Sequence, residues 1–188
     1  LAQVDADLCA GCGICAGSCP SSTPFRSGAR LVTGLDMPQR TLTDLRQRLQ
    51  QGLAGARADQ PLVLFGCDRG APSSSLAQPD VVPLGLLCAG QLPPSFVEYA
   101  LRDGAAGVLV AVCREGGCEF RLGERWATER LAGRREPHLR DGVPAQRLEL
   151  VHAGPGDEAR LVAGLENLRR RVQARLPANE SPECLQHG

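Results

Sequence analysis

Cys9, Cys12, Cys15 and Cys19 fall within eleven positions near the start of the chain, and Pro20 follows directly. The spacing C-x2-C-x2-C-x3-C-P is that of a bacterial-type iron–sulfur run. Two-residue gaps turn the chain tightly enough for one loop to present three thiolates to different irons of a cubane. Gly11 and Gly13 supply the unusual backbone angles that such wrapping needs, and they let backbone N–H groups approach the sulfurs. The pattern therefore points to a [4Fe-4S] cluster on Cys9, Cys12, Cys15 and Cys19. Structural zinc and local disulfides are the competing readings. Zinc knuckles and ribbons use two separated C-x2-C pairs or add histidine, and neither pattern occurs nearby. In two-cluster ferredoxins the fourth cysteine of such a run serves the other cluster. Cys19 thus either completes its own cluster or pairs with a run upstream of Leu1. The chain opens on Leu rather than Met, as a fragment or trimmed product would.

The chain has nine cysteines, so five remain: Cys67, Cys88, Cys113, Cys118 and Cys184. An odd count suits eight ligands and a spare, Cys184, better than a full disulfide framework. The start of the chain shows no basic region followed by an apolar core, and the longest apolar run, residues 105–113, is far short of the roughly 20 residues of a membrane helix. A cytoplasmic, reducing setting follows as the expectation, and it favours metal ligation over disulfides. Lys plus Arg and Asp plus Glu balance at 21 each. With no net field, neither nucleic acid nor an anionic membrane is an expected partner.

The elements that must position the later cysteines can be read from hydrophobic pattern. The apolar runs 61–66, 81–87, 107–112 and 147–152 read as strands, the first three of the kind buried on both faces. Helical spacing appears at Leu42, Leu45, Leu49 and Leu53, with Thr41 or Thr43 as cap and Asp44 near the start. It appears again over 95–104, which stops at Gly104, over 119–133, and over 156–176, which has Asp157 and Glu158 at its start and arginines toward its end. The link 68–80 is too rich in breakers for a good helix. Strands alternating with helices imply an α/β domain with a parallel, flavodoxin- or Rossmann-like sheet. The domain plan is a ferredoxin-like iron–sulfur module with a linker helix over 1–58, the α/β domain over 59–176, and a disordered tail over 177–188.

On that plan Cys67 follows the first strand, Cys88 the second and Cys113 the third, while Cys118 opens the next helix. The carboxyl ends of neighbouring parallel strands converge on one edge, where ligands bind. Four thiols tens of residues apart would meet there as a second metal centre. Cys113 and Cys118 enclose "REGG", a C-x4-C interval that also occurs in plant-type ferredoxins with two-iron clusters, and Gly116 and Gly117 let that loop fold tightly. Ordinary buried cysteines are the alternative.

The stretch "CAGQLPPSFVEYALRDGAAGVLVAVCREGGCEF" resembles the delta subunit family of methyl-viologen-reducing hydrogenase, a family of hydrogenase iron–sulfur proteins. The resemblance spans about residues 60–175. It implies a [2Fe-2S] cluster on Cys67, Cys88, Cys113 and Cys118, and electron relay between a hydrogenase or other dehydrogenase and a heterodisulfide-reductase-like flavoprotein. Many relatives have a further cysteine shortly after the first, where this chain has Gly70. Catalysis would belong to a partner protein.

The remaining candidates read as structural. His138, His152 and His187 show no metal-type spacing, Tyr99 and Trp126 read as core, and Arg169–Arg171 as a solvated face near a helix end. No phosphate-loop or dinucleotide fingerprint is present. Two further function classes stay open: a thiol-based redox or metal-sensing docking protein, in which Cys113 and Cys118 form a regulatory disulfide, and a protein with two structural zinc sites.

Overall fold

A computed structural model of the chain describes residues 34, 36–37, 40–76 and 78–174. The cysteine run at 9–19, with Gly11 and Gly13, and Cys184 and His187 all lie outside the described residues.

The alternating pattern folds as read. Four parallel strands, β1 (Leu62–Cys67), β2 (Val81–Leu86), β3 (Gly107–Val112) and β4 (Leu148–His152), form one sheet in the order β2-β1-β3-β4. The helices are α1 (Leu42–Gly55), α2 (Ser95–Arg102), α3 (Gly123–Leu131) and α4 (Glu158–Gln173). The breaker-rich link after β1 holds only a 3₁₀ turn, Ser73–Leu76.

β1 and β3 are buried along their full length because both sheet faces are covered. Side chains alternate along each strand, so Val63, Phe65, Val108, Val110 and Val112 face one core, shared with Leu45 and Leu49 of α1 and Phe96 and Val97 of α2. Leu62, Leu64, Leu109 and Ala111 face the other, closed by Leu161, Leu165 and Leu168 of α4. Each of these fully buried Leu or Phe side chains contributes about 1.5–3 kcal/mol. β4, at the sheet edge, is half-buried throughout.

Local signals explain where the helices begin and end. Thr41 caps α1 by accepting a hydrogen bond from the Asp44 N–H at 3.1 Å. α2 follows Pro93 and Pro94, whose fixed φ suits a helix start, and it ends before Gly104, which has φ 108°. The first core includes Leu42, Leu45 and Leu49, so α1 packs on the α/β sheet against β2. The arginines of α4 are paired rather than simply solvated. Arg169 binds Asp80 through two hydrogen bonds, at 2.5 and 3.0 Å, and Arg171 binds Glu149, which ties α4 to the sheet. No helix among the described residues is long and apolar enough to cross a membrane.

Candidate metal centre

In this strand order the chain leaves β1 toward β2 on one side and β3 toward β4 on the other. The crevice between the carboxyl ends of β1 and β3 is therefore the switch point, where parallel sheets bind their ligands. Cys67 is the last residue of β1, and Cys113 follows β3 immediately. Their sulfurs are 3.5 Å apart. Cys88 stands two residues past β2, at the entry to the 3₁₀ turn Ala89–Gln91. All four cysteines, Cys67, Cys88, Cys113 and Cys118, are free and buried.

Cys118 stands in a turn rather than opening a helix: α3 begins five residues later, at Gly123. The cause is local. The Cys118 carbonyl accepts from Arg121 N–H at 2.8 Å, and Arg121 itself has φ 67°, which no α-helix admits. The Cys113–Cys118 loop is tight. Gly116 takes φ 71°, and the Gly117 N–H closes a turn on the Arg114 carbonyl at 2.9 Å.

Gly123 brings the last two sulfurs together. Those of Cys88 and Cys118 both lie within 3.1 Å of the point where a Cβ on Gly123 would stand. A Cβ on Gly90 would in turn stand 2.7 Å from the Gly123 Cα. The two glycines thus let the Cys88 turn and the start of α3 approach backbone to backbone, which larger residues would prevent. Gly70 has a similar constraint: a Cβ there would stand 2.8 Å from the Ala153 carbonyl oxygen.

The loop is clipped from two sides. Arg114 binds the Asp157 carboxylate through two nitrogens, at 2.5 and 2.6 Å, and Asp157 also accepts from Gly154 N–H. Arg114 and that backbone N–H hold the Asp157 carboxyl down at about 2. On the other side the Gly116 N–H donates to Glu124 at 3.3 Å, and Glu124 is buried. Neither Glu124, Asp157 nor Gly123 is singled out as a site residue by the sequence. A glycine and an acid together in a first helical turn are the only signal it offers for the α3 pair.

The four thiols are electrostatically unequal. Hydrogen bonding from the Cys88 thiol, against the opposing effect of burial and with help from the Arg69 backbone and the Cys113 thiol, holds Cys67 down at about 5. Cys88 is pushed well up, first by donating to Cys67 and then by burial. Burial, followed by its bond to Cys67, pushes Cys113 up to about 12. In the metal-free protein one thiolate on Cys67 is thus shared by two neighbouring thiol donors.

Among the described residues no three His, Cys, Asp or Glu side chains are arranged to hold a single metal ion. A two-iron cluster sets a different requirement, since its four protein sulfurs are divided between two irons. Two close sulfurs, Cys67 and Cys113, and a second pair meeting at Gly123 are compatible with that division. The all-thiol donor set is the soft one such iron prefers.

Among the other candidates, His138 pairs with Glu136 at 2.8 Å, and His152 ends β4 on the same carboxyl edge, paired in register with Val112. Tyr99, itself half-buried, packs edge-on against Phe96 of the core at 5.4 Å. Trp126 departs from its reading as core: it is half-buried and lines an apolar groove beside Cys88.

Comparison with known proteins agrees with this architecture. The family model described as "Methyl-viologen-reducing hydrogenase, delta subunit" matches residues 65–174. A 4Fe-4S binding domain matches residues 2–23. The vhc iron-sulfur subunit of the F420-non-reducing hydrogenase of Methanococcus voltae is 29% identical over 62 residues, covering 32% of this chain and 43% of that relative. The match thus spans less than half of the relative's length. With its family region covering more than half of the sequence, the chain belongs to the methyl-viologen-reducing hydrogenase delta subunit family, and it has a 4Fe-4S binding domain ahead of that region.

Proposed function

We propose that the chain is an electron carrier with two iron–sulfur centres, a [4Fe-4S] cluster on Cys9, Cys12, Cys15 and Cys19 and a [2Fe-2S] cluster on Cys67, Cys88, Cys113 and Cys118. The observation that carries this reading is the set of four free, buried cysteines beyond the strand ends, with the sulfurs of Cys67 and Cys113 3.5 Å apart and those of Cys88 and Cys118 both close to Gly123. When bound, the two-iron group supplies reversible one-electron chemistry. The chain's own residues orient the four sulfurs, keep water from them, and fix the Cys113–Cys118 loop through Arg114–Asp157 and Gly116–Glu124. Cys88 and Cys113 must each lose a proton as the cluster is taken up, because the ligand is the thiolate.

The partners on this reading are redox proteins: a hydrogenase or other dehydrogenase on one side and a heterodisulfide-reductase-like flavoprotein on the other. The family membership supports the first. The setting is cytoplasmic, where such thiols stay reduced.

A second reading draws on the same geometry. A thiolate at Cys67 touching the Cys113 thiol is also what a thiol-based redox sensor uses, with a Cys67–Cys113 disulfide, in place of the Cys113–Cys118 one expected from the sequence, as its oxidised state. Reductive titration of the anaerobically prepared full chain separates the two. A carrier takes up one electron per cluster and develops EPR signals as it does so, and Cys113→Ser removes one of the two steps. A sensor takes up electrons in pairs per disulfide and stays EPR-silent.

A further inference from the structure

An apolar groove of about 370 Å³ opens beside the cysteine edge. Gly34, Met37, Pro93, Phe120, Trp126 and Pro137 form its walls, and Cys88 also lines it. One wall is built at a cost in backbone strain. The Leu122 N–H donates to the Phe120 carbonyl at 2.8 Å across Arg121, whose φ is 67°. This is a γ-turn of the rare, strained kind. It holds Phe120 and Leu122 in water at 51% and 41% exposure, the only large apolar side chains so exposed among the described residues. Strain maintained at a turn that exposes apolar side chains marks a surface meant for contact.

The groove's occupant is suggested by where the chain enters. Gly34 and Met37 are themselves part of the wall. Gly34 lies so close to Leu42 and Pro93 that no Cβ fits there. Asp36 accepts from the Leu42 N–H at 2.8 Å, and Met37 bridges to Arg40. The chain is thus anchored at the groove, and the 4Fe-4S binding domain ends at residue 23, only eleven residues earlier. Such a tether reaches about 40 Å at most, which keeps that domain near the groove at an effective concentration on the order of mM.

Charge agrees. Residues 2–23 contain Asp5 and Asp7 and no Lys, Arg or His. At the groove Arg130 lines the wall, and Arg135 lies over the Trp126 ring at 4.6 Å while paired with Glu129 at 3.3 Å. An acidic segment meets an apolar groove whose one charged lining side chain, among the described residues, is Arg130.

We propose that this groove is the docking surface for the chain's own residues 2–23, so that the N-terminal module seats against Phe120, Leu122 and Trp126 beside Cys88. The proposal deepens the two-cluster reading and rests on it.

The test is EPR of the dithionite-reduced full chain, comparing wild type with Phe120→Asp and with Arg121→Glu. Docking predicts magnetic coupling between the two cluster signals in wild type, seen as splitting or faster relaxation, independent of protein concentration. Each variant should lose that coupling while both signals persist. Both signals present but uncoupled in wild type overturn the docking, as does coupling that neither variant reduces. Coupling that rises with protein concentration gives the groove to a second copy and overturns it too. Absence of one of the two signals in wild type refutes the two-cluster reading itself, so the two failures are distinguishable.

Discussion

The sulfurs of Cys67 and Cys113 stand 3.5 Å apart although 46 residues separate them in the chain. Parallel pairing of β1 with β3 brings these ends together, since Gly66 pairs with Ala111, Cys67 lies one residue beyond that pair and Cys113 two. The switch-point rule supplies the open crevice, and the register brings two sulfurs into contact there.

The inequality of those thiols has a measurable signature in the metal-free protein. Thiolate absorbance near 240 nm should persist down to about pH 5 and disappear in Cys67→Ser. A depressed thiol stabilises the fold above its unfolded value, near 9, and this contribution is lost as the pH falls through about 5. The stability of metal-free wild type should therefore decline over that window more steeply than that of Cys67→Ser, as read by chemical denaturation.

Gly123→Ala places a methyl group against the sulfurs of Cys88 and Cys118. Retention of the two-iron cluster should fall by about 10- to 100-fold, the usual scale for disturbed metal surroundings. The helical circular dichroism and the four-iron signal should stay unchanged, because the substitution leaves the core and residues 2–23 intact. Cluster-specific EPR signals and iron content check this outcome.

Asp80→Asn removes the partner of Arg169, whose guanidinium lowers the Asp80 carboxyl below its ordinary range. The pair is about a quarter exposed, so the loss at neutral pH should be about 0.5–1 kcal/mol. A depressed carboxylate stabilises above its unfolded pKa, about 3.9, and that stability is lost as the pH falls through the lower folded value. Wild type and variant should thus converge in acid when urea unfolding is compared from pH 7 downward.

Phe96→Ala removes a fully buried ring that packs edge-on against both Phe65 and Tyr99. A loss of about 3–5 kcal/mol is expected. Thermal unfolding of the metal-free protein is the measurement, and a loss below about 1 kcal/mol would mean that α2 is not seated on the sheet as described.

Much of this architecture is legible in the residues because it follows from periodicity. Runs such as "PLVLFG" and "GVLVAV" have no polar face and so must be covered on both sides, which requires helices above and below and parallel strands between. Strand-end cysteines then converge by topology alone. Other features depend on contacts between distant segments and leave no local trace. Gly123 reads as one more residue in a helical stretch until the Cys88 turn is seen against it. Arg121 reads as an ordinary surface arginine, and nothing in its neighbours reveals the positive φ that delays α3 and separates Cys118 from the helix. Trp126 has the spacing of a core residue, and only the placement of Gly34 and Met37 shows the groove it lines. Arg169 and Arg171 look like helix-end charge until Asp80 and Glu149 are brought beside them by the sheet.

Mössbauer spectroscopy of the ⁵⁷Fe-enriched full chain, prepared anaerobically together with a sulfide count, addresses the two-centre claim most directly. The account predicts about six iron and six sulfide per chain, in a four-iron and a two-iron spectrum, with the two-iron component lost in Cys67→Ser and the four-iron component kept. About four iron per chain with no two-iron component, or zinc in place of iron at the strand-end cysteines, would contradict it.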